Sequence, residues 1–305
     1  MATPANISTL NQFAKGLFQE TASPLADFLA PVVQTGAASF SILDYAKRSG
    51  LQVPSAKRAI GGDSTAVITD GERISISLAP YALHDIIDNH ELDLATTGEG
   101  SRMLREARVR NLVSQAGNSR LSETLSVLRT GVSATAKSWS SSTDPVAEID
   151  AQMEALAKNL GVIPNRVVFS LAAWSYFKNN SKTVSRYPNA TKVSPMIQDV
   201  GSLFLNPNTQ CMVSTATFDT PARTTSTKNN ALTDATLPEI WIYFAADNAN
   251  QFDASAFKTF RVSANPFGGV RAIQKDFGEK IITEWTEAAY VNNASAAARF
   301  ALTLS

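Results

Sequence analysis

Two histidines and a single cysteine are all that 305 residues offer to imidazole or thiol chemistry. His84 and His90 stand among Asp85, Asp88, Glu91 and Asp93, the stretch whose residue types best resemble a metal-ligand set. In a helix, His84 and Asp88 share a face at i, i+4, but His90 turns away and no third ligand is fixed. A closed metal site wants three or four converging ligands, so a solvated helix entry explains the cluster better. A serine hydrolase would need one of these histidines aligned on a distant serine, and the Gly-x-Ser-x-Gly elbow is missing. Glu284 and Glu287 flank Trp285 with the residue types of a glycosidase pair, which needs two carboxylates at a set separation. Three-residue spacing in a strand puts them on opposite faces. The pairs Gly61-Gly62 and Gly268-Gly269 lack the spacing of either phosphate-binding fingerprint and read as turns. Trp174, Tyr176 and Phe177 are spaced for core packing rather than as a binding platform. No catalytic, cofactor-binding or metal-ligating residue is assigned, no cofactor is expected, and the chain does not read as an enzyme.

Composition narrows the remaining classes. Lys plus Arg number 27 and Asp plus Glu 27, so bulk charge recruits neither nucleic acid, membrane nor acidic substrate. An apolar fraction of 44% is that of a globular chain. The length suits one large domain or two intimate ones. Cys211 alone excludes an intrachain disulfide framework and a Cys-rich metal site, and beside Met212 and Val213 it reads as a small buried hydrophobe. The first residues carry no basic segment leading into an apolar run, and no stretch approaches the roughly 20 apolar residues of a membrane span. Synthesis in a reducing interior such as bacterial cytoplasm is expected.

Residues 1–37 mix short apolar clusters (Phe13, Leu17, Phe18; Phe28, Leu29) with polar residues and the prolines Pro4, Pro24 and Pro31. They read as an extended arm that needs another surface, or else as a disordered tail. Phe40 and Ile42 alternate with serines, as do Ile74, Ile76 and Leu78 with Arg73, Ser75 and Ser77, giving two half-buried strands. The polar, glycine-punctuated insert between them, with a weak strand at 65–69, describes a long two-stranded loop projecting from the body. Over 99–129 turn residues give way to Arg, Leu, Glu, Ala and Ser, predicting a long helix with a bend or break at Gly117 and Asn118. Arg102, Arg105 and Arg108 form a slowly turning basic stripe on it.

The Ser/Thr-rich stretch 130–143 reads as a boundary. After it, Asp144 and Pro145 supply an N-cap and first-turn proline, Ile149, Met153, Leu156 and Leu160 one face, and Gly161 the stop. A strand at 166–169, a helix at 171–178, a helix opened by Ser194 and Pro195, and strands at 210–217 and 239–246 follow, the last two separated by a loop over 219–235. That order is an α+β domain. Strand-like runs at 257–263, 270–275, 280–289 and 299–304 close the chain, with Asn265, Pro266, Gly268 and Gly269 turning the first into the second as a hairpin loop.

Pro164-Asn165-Arg166-Val167-Val168-Phe169-Ser170-Leu171-Ala172-Ala173-Trp174, a strand leading into a Trp-bearing helix, resembles a segment of the major capsid proteins of tailed bacteriophages, the Hong Kong-type fold. Glu239-Ile240-Trp241-Ile242-Tyr243-Phe244 resembles that family's central strand, and Tyr81-Ala82-Leu83-His84-Asp85-Ile86-Ile87-Asp88 the entry to its long helix. The likeness spans about residues 38–305 in order, carried by short motifs.

The resemblance implies an N-terminal arm (1–37), an extended loop with its flanking strands (38–83), a peripheral domain with a long spine helix and linker (84–143), an axial domain with central sheet and flanking helices (144–250), peripheral strands (251–285) and a C-terminal return to the axial domain (286–305). It implies a virion subunit that forms hexamers and pentamers closing an icosahedral shell around double-stranded DNA, assembled in the host cytoplasm with scaffolding and portal proteins and without a membrane. Lys47, Arg48, Lys57 and Arg58 on the loop and Arg102, Arg105 and Arg108 on the helix are then candidate inter-subunit contacts, or, on the plainer reading, charges that keep a ribbon and a helix face solvated. Packaged nucleic acid is a second partner open to the arginine stripe. A bacterial nanocompartment shell protein enclosing cargo enzymes resembles the same fold; its usual N-terminal helix is replaced here by a Pro-interrupted arm. Some capsid subunits carry a long removable scaffolding segment or weld neighbours by a Lys-to-Asn bond, and no residue pair here marks such a bond.

Overall fold

The computed structural model describes residues 4–20, 24–44, 56–57, 63, 72–95, 98–186, 196–220 and 227–305. In chain order they form α1 (Pro4–Glu20), α2 (Pro24–Leu29), β1 (Val32–Thr35), β2 (Ser39–Asp44), β3 (Glu72–Ser77), β4 (Ala79–Asp88), α3 (Asn89–Leu94), α4 (Gly98–Gly131) and β5 (Ala134–Trp139). Then come α5 (Pro145–Leu160), β6 (Arg166–Ser170), α6 (Leu171–Asn179), α7 (Ser181–Val184), α8 (Ile197–Val200), β7 (Gln210–Ser214), β8 (Thr217–Thr220), β9 (Thr227–Asn230) and β10 (Thr233–Asp234). The chain ends with β11 (Leu237–Tyr243), β12 (Phe257–Val262), β13 (Val270–Lys275), β14 (Gly278–Val291) and β15 (Ala297–Leu304).

Two sheets organise these elements, as expected of an α+β chain. In the first, Glu287 pairs with both Arg261 and Ala79, so β14 carries β4 along one edge and β12 then β13 along the other. β1 adds to β12 in parallel. The second sheet runs β5-β15-β11-β6-β7, with parallel pairs at β15-β5 and β6-β7. α4 spans both: Val109, Leu112, Val113 and Ala116 pack with Ile87, Ile281 and Trp285 of the first sheet, and Leu121, Leu125 and Leu128 with Trp241 and Tyr243 of the second. The opposite face of the second sheet, including Phe169 of β6, is covered by α5 and α6 through Ile149, Met153 and Phe177. α5 begins and ends where its signals stand, with the Asp144 carboxylate accepting from the N–H groups of Val146 and Ala147 and Gly161 at φ 75°.

Several sequence expectations are corrected. Within the expected arm, the described residues 4–20 and 24–37 are not extended in search of a surface: α1 lays Leu10, Ala14 and Phe18 on α4, α2 buries Leu25 and Leu29, and β1 joins the first sheet. Residues 81–88 are strand β4 rather than a helix entry, and the long helix begins at Gly98. α4 has no break at Gly117 and Asn118; Gly117 is buried within a continuous helix. The stretch 130–143 holds β5, the edge strand beside β15. The span 219–235 contains the end of β8, its antiparallel partner β9, and β10. β12 and β13 follow one another but do not pair, because β14 takes both. The boundaries at 83/84 and 285/286 therefore fall inside β4 and β14.

β2 and β3 pair antiparallel from Ser39↔Ser77 to Asp44↔Glu72, the base of the predicted two-stranded loop. The weak strand at 65–69, most of the insert above that base, and the helix start at Ser194 and Pro195 lie outside the described residues; the helix that follows is the short α8.

Candidate assembly surfaces

The basic stripe of α4 is largely turned inward. Arg105 donates from Nε to Glu279 Oε2 at 2.7 Å, and the Glu279 side chain is 3% exposed. Arg108 donates from Nη2 to both oxygens of Glu91, at 2.7 and 3.0 Å, with Asp85 3.6 Å from its Nη1. These two arginines tie α4 to β14, β4 and α3. Arg102 differs: it is 65% exposed, with Glu99 and Glu106 at 3.9 and 3.8 Å, and such surface contacts contribute little. Of the three, Arg102 is the one presented to solvent.

The same helix carries two ionic contacts that sequence reasoning missed. Arg120 donates to Glu287 and to Asp27, while Arg261 takes the other oxygen of Glu287 at 2.8 Å; Phe267 lies 5.0 and 5.7 Å from the two guanidinium carbons. Farther along, Arg129 and Arg299 share Glu239, at 2.6 and 2.9 Å, with Glu239 fully buried. A polar residue alone in an apolar run, such as Glu239 before Ile240, Trp241 and Ile242, is the signal that could have found the second network. The partners are far apart in sequence and could not be paired from it.

Among the loop candidates, Lys57 is described and exposed, whereas Lys47, Arg48 and Arg58 lie outside the described residues. Below them the ribbon base buries Ile42 and Ile76 against Phe260, with Phe40 set edge-on to Phe260 at 5.2 Å. The other ribbon face is Ser39, Ser41, Ser75 and Ser77, all exposed.

The remaining chemical candidates are surface or packing residues. His84 is exposed on β4 opposite Ile282, and the Asp88 carboxylate caps α3 by accepting from the His90 N–H at 2.8 Å. Glu284 pairs with Arg271 at the surface while Glu287 points inward, so the two carboxylates face opposite sides. Cys211 is half-buried, and burial pushes its thiol up to about 12. Phe177 is buried and Trp174 stacks on it at 5.9 Å. Among the described residues no group of three or more His, Cys, Asp or Glu is placed to hold a metal, and no helix is long and apolar enough to cross a membrane.

Two surface features are left over by packing. At one end of the molecule Leu94, Met103 and Phe277 are 67%, 56% and 60% exposed. Their elements touch: Asn89 N–H donates to the Phe277 carbonyl at 2.9 Å, and Ser101 Oγ to the Leu92 carbonyl at 3.5 Å. Elsewhere a cleft of about 710 Å³ opens between α1, α2 and the β12-β13 turn, with Lys15, Phe18, Phe28, Arg166 and Phe267 among its walls.

No protein-family model and no curated protein matches the sequence. Solved structures match the fold. A phage-related protein from Bordetella bronchiseptica RB50 superposes with a TM-score of 0.69 at 18% identity, over 96% of this chain and 96% of that one. The capsid of cyanophage P-SCSP1u does so at 0.54 and 13%, over 93% and 90%. The SrpI encapsulin of Synechococcus elongatus PCC 7942 gives 0.54 and 10%, over 92% and 88%. The structural neighbours are mainly tailed-phage capsid proteins, of the Hong Kong-type fold.

Proposed function

We propose that this chain, whose fold is that of tailed-phage capsid proteins, is a major capsid protein that self-assembles through hexamers and pentamers into an icosahedral shell around double-stranded DNA. The supporting observation is a match over 93% of this chain to a phage capsid structure, itself covered to 90%. On this reading the first sheet with α4 is the peripheral domain, the second sheet with α5 and α6 the axial domain, and the β2-β3 loop lies across a neighbour. Lys47, Arg48, Lys57, Arg58 and the exposed Arg102 are the candidate contacts; Arg105 and Arg108 act first within the subunit. Scaffolding and portal proteins are partners at assembly in the host cytoplasm, DNA is held by non-specific contact, and the subunit resides in the virion without a membrane. The role is structural rather than enzymatic.

The test is negative-stain microscopy with light scattering on the chain expressed alone. Closed shells, rings or tubes of regular subunits are expected. A monodisperse monomer or dimer across salt and concentration, persisting with candidate scaffolds, would remove the reading.

One observation favours a second reading, a nanocompartment shell. The N-terminal helix that this resemblance calls for is present: α1 packs on α4. Particle contents separate the two, nuclease-protected DNA for a capsid against a stoichiometric internal protein for a compartment.

A further inference from the structure

We propose that the acidic, apolar end of one copy, around Asp93, Leu94 and Phe277, seats in the cleft walled by Lys15, Phe28 and Arg166 of a second copy. The inference rests on the reading of the chain as a self-assembling subunit.

The cleft is built to receive a carboxylate beside an apolar group. The Arg166 guanidinium lies 4.7 Å over the Phe28 ring and donates from Nη1 to the Phe28 carbonyl at 2.7 Å, so its position is fixed before anything binds. Its Nε is buried with no hydrogen-bond partner. Lys15 stands exposed at the rim. Among the described residues no carboxylate pairs with either cation, and Asp27, the acid in the cleft wall, is held by Arg120 at 2.5 Å. Phe18, Phe28 and Phe267 supply apolar walls, and about 710 Å³ suits a few side chains of a protruding segment.

The other end offers the complement. Leu94 and Phe277 are among the most exposed large apolar side chains of the molecule, and exposed acids stand next to each: Asp93 before Leu94, Asp276 before Phe277. Among the described residues neither Asp93 nor Asp276 has a cation partner; Arg102 nearby is drawn to Glu99 and Glu106, and Lys275 adjoins Asp276. Exposed apolar groups rimmed by charge mark an interaction site, and here the rim is opposite in sign to the cleft.

The two surfaces cannot meet within one chain. The apolar end sits at the start of α4, the cleft beside Arg120, and 1.5 Å of rise per residue puts about 33 Å of helix between Gly98 and Arg120. A contact between different patches on identical chains is heterologous, and closes into a ring when its rotation allows.

Lys15→Glu and Asp93→Lys are made singly and together, with assembly followed by light scattering at fixed protein concentration. Each single reversal is expected to lower assembly about tenfold, and the double reversal to restore it. In parallel, Lys15→Cys and Asp93→Cys chains are co-assembled and treated with a short bis-maleimide, and a 15–93 cross-link between copies is expected by peptide mass spectrometry. Parent shells with single reversals that assemble normally and no such link would overturn this contact while leaving the subunit reading intact. A parent chain that forms no shell, alone or with candidate scaffolds, would overturn both. A link from position 15 to another protein would overturn it in favour of a foreign acidic peptide.

Discussion

Arg120 and Glu287 meet at 2.7 Å with side chains 2% and 6% exposed, and they join the middle of α4 to the long strand β14. Glu287 serves Arg261 of β12 with its second oxygen, and Asp27 of α2 supplies the second negative charge. Four elements are thereby fixed in one orientation by two cations and two anions. Apolar packing alone would allow α4 to slide by part of a turn over the sheet. Charge-assisted hydrogen bonds with set directions do not.

Removing one member of such a group leaves the others buried and uncompensated, which costs more than the intact group contributes. Glu287→Ala is therefore expected to lose about 3–5 kcal/mol of stability, while Arg102→Ala, at a 65% exposed side chain, changes stability by less than about 0.5 kcal/mol. Urea unfolding of the unassembled subunit measures both. Equal midpoints for the two variants would show that the buried network does not hold the helix.

The parts of this arrangement legible in the sequence are the local ones. Asp144, Pro145 and Gly161 specify α5 within their own turns, and the β-branched and aromatic runs specify β6 and β11. The prolines misled: Pro4 and Pro24 open α1 and α2 as first-turn residues, where a missing N–H costs nothing, rather than bending an arm. β4 was hidden because its inward face includes Asp85, satisfied by Arg108, and its outward face includes Ile86, which breaks apolar alternation. Gly117 and Asn118 read as a break because propensity ignores packing; Ala116 and Gly117 are buried on the core side of α4. The α4 arginines that meet Glu239, Glu279 and Glu287 lie 110, 174 and 167 residues from them, beyond any spacing rule.

Gly201 and Gly278 allow backbones to approach where a methyl group cannot fit. A Cβ on Gly201 would overlap the Thr209 carbonyl oxygen, and one on Gly278 the Ile87 carbonyl oxygen, neither of which is a yielding side chain. Gly201→Ala and Gly278→Ala are each expected to cost about 1–3 kcal/mol through forced backbone shifts. Gly269→Ala, which meets open space, is the control. Thermal midpoints of the three variants decide the point, and a Gly278→Ala protein as stable as that control would contradict it.

Asp144 links stability to pH. Burial pushes its carboxyl up, but hydrogen bonds from Arg186 and from the Ala147 and Val146 N–H groups outweigh this and hold it below its ordinary value. A carboxylate lowered on folding adds stability above its unfolded pKa, and that stability fades as pH falls through the folded value. Asp144→Ala is expected to lose about 1 kcal/mol at pH 7, as for other N-caps. The gap between variant and parent should close below the carboxylate range. A gap that stays constant down to pH 2, read by urea titration at each pH, would mean that the charge of Asp144 is not what matters.

Cys211 shifts the other way. Its thiol, half-buried beside the α5 and α6 core, is raised from 9.0 to about 12 by burial, so the folded chain resists forming the thiolate that the unfolded chain forms readily. A group raised on folding contributes stability fully present below its unfolded pKa and lost as pH rises toward the folded one, here between about 9 and about 12. Two consequences are measurable in one preparation. Iodoacetamide at pH 8 should leave the native thiol unmodified for hours and label it within minutes in 8 M urea, because only the thiolate attacks. Cys211→Ser should flatten the loss of stability above pH 9, since serine does not titrate there. Rapid labelling of the native subunit would place Cys211 at the surface and remove both expectations.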